Sequence, residues 1–218
     1  MIETPRHYPT RSAKCADLCV HIAGLAFALV GGAILLGLSV RLGGLEQATA
    51  IGVYAAGMVA MLALSTAYNF AKRERRPLLR RFDHAGIFLM IAGSYTPFTT
   101  QKLTGAWSLG MTTAVWTVAL LGVAGKLFLP GLGRRFWVGV YLALGWLVLV
   151  AIKPLVDGIS WVALLLLALG GLTYSTGAVF YLLKKLKFRR AIWHGHVVSA
   201  AVLQYVAVLI GVVLAQPR

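Results

Sequence analysis

Long apolar runs are the feature that most constrains what this chain can fold into. Seven of them follow one another, each close to the roughly 20 residues that a helix needs to cross the hydrocarbon of a bilayer. We expect them at residues 16–40, 48–70, 83–100, 107–128, 137–153, 160–183 and 192–214. The links between them are too short to hold a soluble domain. The sequence therefore predicts an all-α integral membrane protein, with a polar segment at 1–14 and a single seven-helix transmembrane bundle at 15–218.

The distribution of positive charge predicts how the bundle is oriented. The chain has 21 lysines and arginines against 6 aspartates and glutamates, and the basic residues concentrate before the first run and in alternate links. Basic links stay on the cytoplasmic side of a membrane. We therefore expect a cytoplasmic amino terminus, an external carboxyl terminus after seven crossings, and a multi-pass location in the plasma membrane. The basic residues that fall on the other side are Arg41, Lys102, Lys153 and Arg218.

The net charge of +15 does not indicate a nucleic-acid-binding protein. The basic residues stand in short links between apolar runs, where they set the topology and meet anionic lipid headgroups. We therefore expect membrane lipids as partners and no nucleic acid. The sequence identifies no protein partner and no oligomeric state.

Polar side chains inside the apolar runs gather at the predicted cytoplasmic end. Four of the 5 histidines fall there. Ionisable residues within a membrane are functional candidates, and imidazole with carboxylate and hydroxyl groups suits a metal-bound water. We expect a polar site between runs two, three and seven, unless Asp83 only caps its helix and the histidines only reach the headgroups. The residues concerned are Asp17, His21, Ser65, Asn69, Asp83, His84, His194 and His196.

Spacing limits what the seventh run can contribute to such a site. His194 and His196 are two residues apart, so they point to nearly opposite faces of a helix and cannot share a metal. Arg190 and His194 are four apart and share a face. Arginine cannot give up its proton, so Arg190 cannot be a metal ligand.

One long motif and four short ones resemble a known family. Residues 80–98 are RRFDHAGIFLMIAGSYTPF, with STAYN at 65–69, GW at 145–146, GGLTYSTG at 170–177 and AIWH at 191–194. In this order they resemble the hemolysin III family, the bacterial branch of the progestin and adipoQ receptor family, over nearly the whole chain. The resemblance implies seven helices, a cytoplasmic amino terminus and a zinc site in the inner leaflet.

Some of the family's site residues are present in this chain and others are replaced. Ser65 and Asp83 match the serine and aspartate that support the metal-bound water, and they are the candidate catalytic residues. His194 matches one zinc ligand. Asn69 and Arg190 stand at the two other ligand positions.

Two further polar residues of the seventh run belong to this comparison. Gln204 stands where the family often has another histidine, and His196 is a polar residue beside the matched ligand. Neither restores a ligand that the chain has lost.

The missing ligands leave two hypotheses for the site, because a catalytic zinc needs three protein ligands and one histidine does not supply them. In the first, Arg190 replaces the metal as the counter-charge of Asp83, and the site is metal-free. In the second, His21 or His84 substitutes for the lost ligands and zinc still binds.

The resemblance implies three classes of function. The family name implies a pore-forming or cytolytic activity, and related bacterial members resemble regulators of membrane lipid state. Zinc-containing relatives resemble hydrolases of ceramide-like lipid amides, in which Ser65 and Asp83 would position a zinc-activated water. Eukaryotic relatives imply a lipid-sensing receptor. The damaged zinc ligands favour the first, non-enzymatic class, in membrane permeability or lipid homeostasis.

Overall fold

A computed structural model describes residues 7–129, 131–183 and 185–215 of the chain, and every regular element in those ranges is a helix. This agrees with the all-α class predicted from the apolar runs. The helices are α1 (Arg11–Leu42), α2 (Gly44–Phe70), α3 (Arg76–Gln101), α4 (Gly105–Phe128), α5 (Arg134–Gly145), α6 (Ile152–Gly158), α7 (Trp161–Leu182) and α8 (Arg189–Val208).

The helices pack in chain order, and the last returns to the first. Neighbours α1 and α2, α2 and α3, α3 and α4, and α7 and α8 lie side by side, and α8 also packs on α1. The outward faces carry large apolar side chains, such as Leu121 at 68% and Leu109 at 73% exposure. Apolar side chains on the outside and a closed helical backbone are what a bilayer requires.

Six of the helical segments are long and apolar enough to cross a membrane. The helix α3, predicted as a span at 83–100, is not among them, although it has 26 residues. Its first turns carry Arg80, Arg81 and Asp83, and its last turns are rich in threonine, so its mean hydropathy is lower than that of the other spans. The seven-helix count therefore depends on α3 alone.

The fifth span differs from the continuous helix predicted at 137–153. Between α5 and α6 the chain forms a 3₁₀ helix at Trp146–Ala151, and the three pieces together run from Arg134 to Gly158. The Tyr95 hydroxyl donates to Gly145 O at 2.8 Å and accepts from the Val148 amide at 2.7 Å. A side chain from α3 thus satisfies backbone groups where the α-helical pattern breaks.

The two ends of the bundle differ in packing. One end, which we call the basic end, carries residues 7–14, 71–75, 126–129, 131–134, 183 and 185–189. It contains the polar residues singled out above and a cavity. The other half is filled by buried apolar side chains, among them Leu35, Tyr54, Phe98, Met111, Ile159 and Val212.

Glycine allows α2 and α3 to approach closely. A Cβ on Gly57 would lie 3.1 Å from Leu89 O, and one on Gly93 would lie 3.2 Å from Val53 O. The neighbours are backbone atoms, which cannot rotate away. Close approach at small residues is the usual basis of helix packing in membranes, where apolar lipid gives no hydrophobic drive.

Replacement of Gly57 by leucine should destabilise the protein, because the added side chain meets the α3 backbone. Overpacking of this kind costs about 1–3 kcal/mol. Thermal unfolding in detergent should show a clearly lower Tm for Gly57→Leu. Gly110→Leu is the matched control, since nothing lies within 4 Å of a Cβ at Gly110. Equal Tm values for the two variants would contradict close packing at Gly57.

Candidate functional site

Three helices bring a polar cluster together inside the basic end. Asp17 and His21 lie one turn apart on α1, Ser65 lies near the end of α2, and His194 lies in the second turn of α8. All four side chains are buried. A buried polar group without a hydrogen-bond partner raises the free energy of the folded protein. Each of these side chains therefore needs partners, and their hydrogen bonds define the site.

The carboxylate of Asp17 joins α1 to α8. Its Oδ1 lies 2.6 Å from His194 Nδ1, and its Oδ2 accepts from the Tyr8 hydroxyl. A carboxylate only accepts, so Nδ1 of His194 carries the proton. When the ring is neutral, its Nε2 atom has a free lone pair, and this atom faces Ser65 Oγ at 3.4 Å.

The second imidazole has the same arrangement. His21 Nδ1 lies 2.8 Å from the backbone oxygen of Asp17, which can only accept, so the proton is again on Nδ1. His21 Nε2 lies 3.3 Å from Ser65 Oγ. Two imidazole lone pairs therefore converge on one hydroxyl, which can donate to only one of them at a time.

A second network covers the cluster. Arg190 donates from its NH1 atom to Asn69 Oδ1 at 2.9 Å, and Asn69 Nδ2 lies 3.4 Å from Ser65 Oγ. His7 contacts both partners, because its Nε2 lies 3.3 Å from Asn69 Oδ1 and its Nδ1 lies 3.1 Å from Arg190 NH2. The Arg190 guanidinium also lies against the rings of Tyr8 and Tyr68.

The pairing of Arg190 with Asp83 expected from the sequence is not found. In the described part of the chain Arg190 and Asp83 form no salt bridge with each other, and the Asp17 carboxylate lies 3.8 Å and 2.6 Å from Nδ1 of His21 and of His194. Arg190 instead donates to the Asn69 side chain on α2 and to the backbone oxygen of His7, in the segment before α1. Asp83 lines the cavity beside the cluster, where its carboxylate interacts with the Ser65 hydroxyl and lies near His194 and Arg190.

The other predicted site residues lie apart from the cluster. His84 contacts Lys126 Nζ at 3.2 Å, so of the two proposed substitutes only His21 joins His194. His196 packs against Phe180 and bonds to its own helix, as its two-residue offset from His194 predicts. Gln204 lines the far part of the cavity.

The sequence singled out Asp17 as a polar residue of the first run but did not place it in the site, and it did not point to Tyr8 or His7. Asp17 had a signal, since it lies four residues before His21 and both face one side of α1. The positions of His7 and Tyr8 had none, because they precede the first helix and reach the site only when α1 packs on α8.

Three residues of the cluster could hold a metal ion. Asp17, His21 and His194 each offer a ligand atom, and these atoms all lie within 4.8 Å of one another. The position of Asp17 and His21 in this group shows that α1 contributes to the site, which the sequence placed between the second, third and seventh spans.

A cavity of about 600 Å³ opens beside the cluster. Ser65, Asp83 and His194 lie in its wall. Apolar side chains line its deeper part, and these include Met61, Leu62, Ile87, Met90, Ile91 and Leu142. Arginines line it towards the basic end, and these are Arg80, Arg81, Arg134, Arg189 and Arg190.

These features define a class: a multi-pass helical membrane protein with a buried histidine, aspartate and serine cluster that faces an amphipathic cavity. Comparison with known families agrees, since the model of the family described as "Haemolysin-III related" matches residues 14–205. The chain belongs to this family, as its third-span motif indicated.

Individual relatives are similar over nearly the whole chain. The "Hemolysin-3 homolog" of Bacillus subtilis (strain 168) is 30% identical over 92% of this chain and 94% of its own length. "Hemolysin-3" of Bacillus cereus is 33% identical over 90% of each chain. The human "Monocyte to macrophage differentiation factor" is 27% identical over 93% of this chain and 86% of its own length.

The stability of the site should depend on the protonation of His7. Burial, with the positive charges of Arg190 and Arg76, lowers the pKa of His7 from 6.5 to about 4. The unfolded chain takes up this proton near pH 6.5 and the folded chain only near pH 4. Stability is therefore lost as the pH falls from 6.5 to about 4.

Tm measured in detergent across this range should fall less steeply for His7→Gln than for the unchanged protein. His196→Gln is the matched control, because His196 lies on another face of α8. An unchanged slope for His7→Gln would show that His7 is protonated at the same pH in the folded and unfolded chains.

Proposed function

We propose that this protein acts in membrane-lipid homeostasis, and that its cavity takes up one lipid molecule from the cytoplasmic leaflet of the plasma membrane. The observation that carries the proposal is the division of the cavity wall into an arginine-lined mouth and an apolar interior. An acyl chain fits the interior, and an anionic headgroup fits the mouth.

The size and charge of the cavity support this ligand class. Small-molecule sites have volumes of roughly 300–1,000 Å³, and the cavity has about 600 Å³. Among the residues that line it, Arg80 and Arg134 stand on different helices and bring fixed positive charge to one mouth. Basic pockets between membrane helices bind acidic headgroups through such charges.

The same arginines support the orientation that we propose. Basic links stay in the cytoplasm, so the basic end and the amino terminus face inward, and seven crossings bring the carboxyl terminus outside. The seventh crossing is α3. At about 1.5 Å per residue its 26 residues are long enough to span the hydrocarbon. It packs against α2 and α4, and Thr96 and Thr99 of its last turns are buried.

The packing of the bundle favours a lipid-binding protein over a pore. A pore through one chain needs a polar path along its full length. In the half of the bundle opposite the basic end, buried apolar side chains block such a path, among them Leu35, Tyr54, Phe98 and Val212. The cavity is lined by the inner halves of the helices and reaches about as far as Tyr174 and Gln204.

The described side chains do not fit the three-ligand zinc centre that the family resemblance implies. Nε2 of His21 and of His194 face Ser65, whereas the Asp17 carboxylate lies on the Nδ1 side of His194. Ligand atoms of Asp17, His21 and His194 lie within 4.8 Å of one another, but Nε2 of both rings is turned towards Ser65. Ligation of a zinc by all three, the number that zinc needs, would require these side chains to turn. Asn69 and Arg190, at the other two ligand positions, bond to each other.

A lipid should remain bound to the protein through purification. Organic extraction and mass spectrometry of the detergent-purified chain should recover an anionic lipid in near-stoichiometric amount. Ile91→Trp fills the apolar interior and should lower the bound lipid several-fold. Leu121→Trp adds the same side chain on an outward face and should leave it unchanged. Absence of lipid from the unchanged protein, with leakage of dye from vesicles that contain it, would favour a pore.

Zinc should be absent from the protein after washing at neutral pH. Elemental analysis should find far less than one zinc per chain, and a chelator should leave the Tm unchanged, because the site is completed by hydrogen bonds. The double replacement Asn69→His with Arg190→His restores the family's ligand positions and should bind zinc. One zinc per unchanged chain, lost on His194→Gln, would mean that the histidines have rearranged around a metal.

A further inference from the structure

The buried cluster has the connectivity of a nucleophilic relay. Asp17 Oδ1 accepts from His194 Nδ1 at 2.6 Å, and His194 Nε2 faces Ser65 Oγ at 3.4 Å. Carboxylate, imidazole and hydroxyl groups in this order activate a serine, because the imidazole takes the hydroxyl proton and the carboxylate stabilises the imidazolium that forms. Hydrogen bonds between a nucleophile and its base are often long without substrate and shorten in the reactive complex, so a separation of 3.4 Å is compatible with this role.

The geometry points to Ser65 as the nucleophile of an acyl-transfer site, with His194 as its base and Asp17 as the residue that positions the base. The substrate class is an acyl ester of an anionic membrane lipid. This inference rests on the proposed lipid cavity, because Ser65 lies in the cavity wall and its substrate must come from there.

His194 is the base rather than His21, although both face Ser65. Nδ1 of His194 donates to a carboxylate, whereas Nδ1 of His21 donates to a backbone carbonyl. The imidazolium formed on proton uptake is stabilised far more by a negative charge at 2.6 Å than by a neutral dipole. When the Ser65 hydroxyl donates to His194, His21 Nε2 receives no hydrogen from it, so His21 takes no part in the proton transfer.

Asn69 and Arg190 complete the site. Arginine has only donors, so the oxygen of the Asn69 amide must face Arg190, and its nitrogen must face Ser65. Asn69 Nδ2 donates one hydrogen to the Ser65 backbone oxygen at 3.0 Å and holds the other beside Ser65 Oγ. This second N–H lies where the carbonyl oxygen of a bound substrate would gain negative charge. Such a preoriented donor stabilises the tetrahedral intermediate. The two residues that replace the family's zinc ligands have a chemical role of their own.

The reaction balances with water as the only co-substrate. Ser65 Oγ bonds to the ester carbonyl carbon while its proton passes to His194 Nε2. The ester C–O bond breaks, and the leaving alcohol takes that proton. Water then cleaves the acyl–serine bond, with its proton passing through His194, so that a fatty acid is released and Ser65 is restored.

Covalent labelling of the purified full-length chain tests the inference directly. An alkyl fluorophosphonate reacts with an activated serine, and mass spectrometry locates the adduct. We expect one adduct per chain, on Ser65, and none in Ser65→Ala. Ser39→Ala is the matched control, because Ser39 is a buried serine near the other end of α1, outside the cavity wall, and donates to its own helix at Leu35 O. It should label like the unchanged protein.

The roles of the other members appear in the labelling kinetics. His194→Gln should lower the maximal labelling rate by at least about 100-fold, as loss of a relay member does, and His21→Gln by much less. Asp17→Asn should lower the maximal rate while the half-saturating probe concentration stays the same, which loss of folding would not produce. Asp17→Glu should recover part of the rate. Tm measurements identify any variant that fails to fold.

Two results would overturn the relay. One is an unchanged protein that carries lipid but takes no label on Ser65, which leaves the lipid-binding proposal standing. The other is equal labelling of His194→Gln and the unchanged protein. If neither lipid nor label is found, the proposed function fails together with the inference.

Discussion

The site depends on one buried carboxylate. Asp17 lies inside the bundle near its basic end, and it is held there by hydrogen bonds from His194 on α8 and Tyr8 before α1. An unpaired charge at this depth would be very unfavourable. Its partners come from the two extremes of the sequence, so the carboxylate also closes the ring of helices where α8 returns to α1. The tautomers of both histidines follow from its position.

Much of the fold could be predicted because the bilayer imposes it. Lipid offers no hydrogen bonds to the backbone, so each apolar run of sufficient length must be a helix, and the predicted runs correspond to the helical segments. Predictions failed where tertiary contacts decide. The 3₁₀ turn at Trp146–Ala151 is stabilised by the hydroxyl of Tyr95, which is some 50 residues away in sequence and could not be assigned to it.

The polar site could be predicted only in part, for a related reason. Polar residues at one end of the runs, and the family motif, correctly brought Ser65 and His194 to the same region. The rotation of each helix about its axis could not be obtained from one sequence. That rotation makes His21 a member of the cluster, turns His84 towards Lys126, and gives Arg190 an amide partner in place of Asp83.

The hydrogen bond between Asn69 and Arg190 has a consequence for how this protein can change in evolution. Histidine at position 190 alone would leave the Asn69 amide without the donor that orients it, and histidine at 69 alone would set an imidazole against a fixed positive charge. Either single substitution therefore removes the hydrogen bond between Asn69 and Arg190 before both histidine ligands are in place. The two positions are therefore expected to be inherited together, as alternative pairs separated by an unfavourable intermediate.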